Sequence, residues 1–165
     1  MRYIILVLLA AITLSANAQS TTTEKLQQKY SASLALFFYN NTLRMINQTD
    51  DKEFDALIKD IEKMKFLMIS KENFAKSDYQ KLVTDYKSES FEEMMSSRHD
   101  GKNFDVFMKA GNSKGMIVTV NDAENLYVLD IVGSIPLNKV TKLFTEIDES
   151  SEIGKRMQDF ANHKH

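Results

Sequence analysis

The side chains able to do acid–base or metal chemistry are few and scattered. Three histidines occur in 165 residues: His99 beside an Asp-Gly turn, and His163 and His165 at the C-terminus. No pair has the i, i+4 spacing that sets two imidazoles on one helix face around zinc, and the terminal pair reads as an ordinary chain end. The chain has no cysteine. That excludes thiol catalysis, cysteine-ligated zinc and iron–sulfur clusters. The acid–base set that can be drawn from the remainder is dispersed: His99, Asp105 and Glu124. It amounts to a hydrolase site only if the fold brings two or more of them within hydrogen-bond reach in a pocket.

Adjacent carboxylates occur at Asp50-Asp51, Glu92-Glu93 and Asp148-Glu149. Glu92 and Glu93 lie in a strand pattern and so point to opposite faces, whereas paired acids for glycoside cleavage must face each other across a pocket. The other two pairs sit where helices begin or end and read as caps and solvated termini. No serine stands in Gly-x-Ser-x-Gly. The segment Gly111-Asn-Ser-Lys-Gly115 has too few glycines for a phosphate loop and joins a strand to a strand. No catalytic residue, metal site or cofactor is therefore assigned, and the expectation is a protein that is not an enzyme.

The elements that would position these residues are clearer. Ser33 to Tyr39 is apolar at nearly every position, as in a buried strand. Asp50-Asp-Lys-Glu53 opens a helix whose stripe is Phe54, Leu57, Ile58, Ile61 and Met64. A short strand follows at Phe66 to Ile69, then a helix with Tyr79, Leu82, Val83 and Tyr86 on one face. Phe91 to Arg98 reads as a strand that ends in the Asp100-Gly101 turn.

Next comes a meander. Period-2 alternation puts Phe104, Val106 and Met108 on one face, with Met116, Val118 and Val120 and with Tyr127, Leu129 and Ile131. Pro136 fits the start of a last helix carrying Leu137, Val140, Leu143, Phe144 and Ile147. The pattern predicts an α+β fold in two layers: a mostly antiparallel sheet of about six strands with helices packed on one face. The other face of the meander would then expose Phe107, Ile117 and Val128, an apolar patch suited to interaction, unless a tail helix at Ile153 to Phe160 covers it.

The chain opens with Arg2, an apolar run from Ile4 to Leu14 and Ala16-Asn17-Ala18. The run is shorter than the ~20 residues of a membrane span. These are the parts of a secretory signal peptide, residues 1–18, cut between Ala18 and Gln19. Residues 19–149 form one domain and residues 150–165 a tail with amphipathic spacing. Without a cysteine there is no lipid anchor, so the mature chain is expected to be periplasmic or secreted with no transmembrane span. A net charge of −2 without clustered Lys and Arg gives no reason to expect nucleic acid.

Three stretches carry a family resemblance: Leu36-Phe-Phe-Tyr-Asn-Asn-Thr-Leu-Arg-Met45, Met64 to Ser70, and Leu126-Tyr-Val-Leu-Asp-Ile-Val-Gly-Ser-Ile-Pro-Leu137 running on to Leu143. Together the chain resembles the domain of unknown function 4252 from secreted proteins of the Bacteroidetes. The resemblance implies this architecture and a cell-envelope location, and supplies no catalytic residues. Where that family often has Ser-Lys after its first strand, this chain has Tyr39-Asn40. The resulting expectation is an exported, non-catalytic binding module of the envelope. It would take a protein, peptide or lipid ligand, or self-associate, through the outer sheet face.

Overall fold

The structure, a computed structural model, describes residues 19–30, 34–47, 50–99, 101–111 and 114–147. Helix α1 (Thr21–Lys29) starts at Ser20, whose Oγ accepts from the Thr23 backbone N–H at 3.2 Å, the usual use of a serine at this position. Strand β1 (Leu34–Tyr39) runs directly into α2 (Asn40–Ile46). Helix α3 (Lys52–Ile58) is capped by Asp51, which accepts from the N–H groups of Glu53 at 2.8 Å and Phe54 at 3.2 Å. Strand β2 (Ile61–Ser70) leads through a 3-10 turn at Lys71–Asn73 into α4 (Lys76–Ser88). The meander is β3 (Phe91–His99), β4 (Lys102–Lys109), β5 (Gly115–Asn121) and β6 (Asn125–Gly133), followed by α5 (Leu137–Ile147).

The six strands form one sheet in the order β1-β2-β6-β5-β4-β3, and every pairing is antiparallel. Its first face carries Phe38, Met64, Phe66, Val106, Met116, Val118, Leu129 and Ile131. These pack on Leu43 and Ile46 of α2, Phe54, Leu57 and Ile58 of α3, and Val140 and Leu143 of α5. Its second face carries Leu67, Ile69, Phe91, Phe107, Ile117, Leu126 and Val128, packed on Leu26 of α1, Phe74, and Leu82 and Tyr86 of α4.

Two exits cross at Gly133. A Cβ there would lie 2.2 Å from the Asp60 carbonyl oxygen and 2.8 Å from the Ile61 Cα, at φ +133°. Glycine alone fits so close a backbone approach. The Ser134 N–H donates to the same Asp60 carbonyl at 3.0 Å.

The α+β class and the six-stranded antiparallel sheet agree with the sequence pattern. The distribution of helices does not. Helices α1 and α4 cover the second face, so the domain has three layers rather than two. The reason is legible in β5 and β6, which are buried at every position from Met116 to Val120 and from Val128 to Val132. Continuous burial of this kind belongs to strands covered on both sides. Ile61 and Met64 also belong to β2, not to the preceding helix. A bulge between Ile61 and Lys63 shifts the register by one residue. Residues three apart then face the same core, which imitates helical spacing. The leader at 1–18 and the tail at 150–165 lie outside the described residues.

Candidate functional site

The antiparallel register arranges the second face in rungs. Toward one end of the sheet, Arg98 pairs with Asn103 and Asn103 with Asn121, so three polar side chains share that face on adjacent strands. The next rung inward is Ser96, Asp105 and Thr119. Ser96 Oγ donates to Asp105 Oδ1 at 2.5 Å, and Tyr79 of α4 donates its phenol proton to Asp105 Oδ2. The Tyr79 and Thr119 hydroxyls are 2.9 Å apart. Burial, reinforced by the Asp105 carboxylate, pushes the Tyr79 phenol far above its ordinary pKa. It therefore stays protonated at neutral pH and serves as a donor, not a base.

Above this polar floor lies a cleft of about 370 Å³, lined by residues that include Lys71, Lys76, Tyr79, Arg98, Asn103 and Asn121. Three chain segments build it: the 3-10 turn with the start of α4, the β3–β4 hairpin, and the β5–β6 turn. Lys71 is fixed by donating Nζ to the Asp122 carbonyl, while its backbone N–H donates to the Glu124 carbonyl at 2.8 Å. Asp122 in turn accepts from the N–H groups of Glu124 at 2.8 Å and Asn125 at 2.7 Å, which stiffens the turn. Lys76 and Arg98 are exposed at the mouth. The Asn121 Oδ1 is buried and has no hydrogen-bond partner. Phe74 adds an apolar wall. Lining the cleft are three cations and the carboxylate of Asp122, with Asp105 beneath the floor bonded by Tyr79 and Ser96. The cationic excess suits an anion, and the guanidinium fork of Arg98 suits a carboxylate or phosphate in particular.

A second cleft of about 400 Å³ is lined by Arg44, Asn47, Asp50, Asp55 and Lys59. Its charges balance, and Asn47 is fully engaged. Its Nδ2 donates to the Asp51 carbonyl at 2.8 Å and to Asp55 Oδ1 at 2.9 Å, and its Oδ1 accepts from the Asp51 N–H at 2.9 Å. This cleft is the seam that joins α2 to α3.

The residues singled out from sequence fall elsewhere. Phe107, Ile117 and Val128 do lie side by side on one face, but each is fully buried. They pack under α1 and α4 in the second core and present no outer surface. Among the described residues, the exposed large apolar side chains are Phe37, Tyr39, Met45 and Met94 instead. Asp105 is engaged by Tyr79 and Ser96, Glu124 is exposed on the β5–β6 turn, and the His99 side chain lies outside the described residues, as do His163 and His165. Glu93 pairs with Lys87 at 3.1 Å. Among the described residues, no three His, Cys, Asp or Glu side chains converge as metal ligands. Arg98, Asn103 and Asn121 stand at strand ends in the sequence. Their convergence depends on register, which period-2 alternation leaves open.

Fold and cleft together define a three-layer α+β domain with a basic cleft at one end of its sheet. The chain belongs to the family described as Domain of unknown function (DUF4252), whose model matches residues 33–143. Helix α1 precedes the matched segment. Neither the curated proteins nor the solved structures contain a match to the chain.

Proposed function

We propose that the chain is an exported, non-catalytic binding module of the cell envelope, and that the cleft at Arg98 and Asn121 holds a small ligand bearing an anionic group. The observation that carries this reading is the convergence of Lys71, Lys76 and Arg98 on a cleft whose floor is a protonated phenol and whose Asn121 Oδ1 lacks a partner. Such a site recognises charge and shape. Its Tyr79 phenol, pushed far above its ordinary pKa, stays protonated and donates to Asp105 rather than acting as a base. The export part of the reading is supported by the leader pattern. No helix among the described residues is long and apolar enough to cross a membrane.

The test is an NMR titration of the mature protein with inorganic phosphate and, separately, with benzoate, which adds an apolar body for Phe74. Shifts should cluster at Arg98, Asn103 and Asn121, weaken with added salt, and vanish in the double substitution Lys76→Ala, Arg98→Ala. Shifts spread evenly over the surface lysines, or unchanged in that variant, would sink the proposal.

A second reading, self-association, draws on β1. It is an edge strand with Phe37 and Tyr39 exposed by 53% and 66%, and exposed apolar edges invite pairing. Light scattering across a concentration series decides it.

A further inference from the structure

We propose that Asp130 is the internal receptor for the α-ammonium group that cleavage after Ala18 leaves on Gln19. The inference goes beyond ligand binding but rests on the cleavage position assigned to the leader.

Helix α1 is tied down at its first turn. The Ser20 N–H donates to Asp130 Oδ2 at 2.9 Å. Glu89, at the end of α4, accepts from the N–H groups of Thr21 at 3.1 Å and Thr22 at 2.5 Å, and from the Thr22 hydroxyl at 2.6 Å. The Thr23 and Tyr86 hydroxyls meet at 3.1 Å. Ser20, Thr23 and Asp130 are all fully buried. This anchorage begins one residue after the cleavage point.

One partner is missing. Asp130 Oδ1 is buried with no hydrogen bond, and a buried carboxylate left short of donors is costly. Lys65, its register partner on β2, has its Nζ 5.1 Å from the centre of the Phe37 ring. The Ser20 N–H, the Thr23 hydroxyl and the Lys65 cation all favour the Asp130 carboxylate, while Glu89 and Tyr86 of the α4 region face it without supplying a cation, and none of these groups bonds Oδ1. Backbone bond lengths hold the Gln19 nitrogen within about 4 Å of the Ser20 nitrogen. Before cleavage the Gln19 nitrogen is a neutral amide with one proton. After cleavage it is an ammonium with three donors and a unit charge, and it reaches the vacant oxygen. Removal of the leader thus completes the second core and locks α1 over it.

The sign of the linkage follows. Pairing raises the amine's pKa in the folded state above its free value of about 7.8. The added stability is therefore fully present below about pH 8 and is lost as pH rises through the raised value.

Two forms of the chain test this: one starting at residue 19, and one with Gly-Ser ahead of residue 19. Both carry Gln19→Ala, so that cyclisation cannot consume the amine. Urea unfolding is followed from about pH 6 to about pH 9.5, a range that spans the free amine's pKa. At the low end the form starting at residue 19 should show a folding equilibrium constant higher by about tenfold for each unit of pKa rise. The advantage should shrink toward the high end, and should be absent at all pH in Asp130→Asn. Equal stabilities at about pH 6, or an advantage as large at about pH 9.5 as at about pH 6, overturn the proposal. So does an advantage that survives Asp130→Asn. If Asp130→Asn does not fold, the pH dependence of the first two forms decides alone. N-terminal sequencing of the exported protein tests the cleavage position separately, because the two forms are made without export.

Discussion

Leu129 and Asp130 are neighbours on β6 and point to opposite sides of the sheet. Leu129 enters a core to which the strands contribute only apolar side chains. Asp130 enters one where the same strands bury Lys65, Asp105 and Thr119 as well. Both faces are covered by helices, so burial alone does not distinguish them. The first face makes stability by excluding water from well-filled apolar surface. The second gives up part of that to hold charged and hydroxyl groups in fixed places, and both the cleft and the anchor of α1 belong to it.

The comparison can be pressed by substitution. Leu129→Ala removes a fully buried side chain from the dry face and should cost about 2–5 kcal/mol in urea unfolding. A much smaller loss would mean that the first core is loosely packed.

Asp130 should respond to pH instead. In the uncleaved chain, whose Gln19 nitrogen is a peptide amide as it is in the form extended by Gly-Ser, burial raises its carboxyl from 3.8 to about 6. The folded-state pKa is the higher one, so the cost of ionisation is absent below the unfolded value and grows between 3.8 and about 6. Relative to Asp130→Asn, that form should gain stability as pH falls through this window, by about 3 kcal/mol at most. A profile that falls with acid, as for ordinary surface-paired carboxylates, would contradict the buried placement.

The smallest effect is expected at Tyr86→Phe, which deletes the hydroxyl facing Thr23 but keeps the ring against Phe91 and Phe107. About 1 kcal/mol should be lost, with α1 exchanging its amides faster while α5 does not.

Much of the first face was legible in the sequence, because period-2 strands and 3.6-period helices mark apolar faces directly. The stripes on α3 and α5 and the alternation of Phe104, Val106 and Met108 are of that kind. The second face was not. Phe107, Ile117 and Val128 do share one face, but the stripe of Tyr79, Leu82, Val83 and Tyr86 on α4 does not say which side of the sheet it packs on, and that side is theirs. Helix α1 buries Leu26 with Thr22 and Thr23, and no hydrophobic stripe announces it. The cleft was hidden for a different reason: Arg98, Asn103 and Asn121 meet only through strand register, which depends on the hairpins rather than on composition.

Every pairing in the order β1-β2-β6-β5-β4-β3 joins strands that follow one another in the chain, except β2 with β6. The three hairpin pairings from β3 to β6 can close over short loops, and β1 with β2 is nearly as local. The β2–β6 seam must instead bring together Ile61–Ser70 and Asn125–Gly133, with the whole meander between them. Loop closure grows more costly with length, and non-local pairing slows folding. The chain should thus assemble as two preformed halves whose docking along this seam limits the rate. Gly133, pressed against Asp60 and Ile61, sits at the end of that seam, where the last backbone contacts between the halves form.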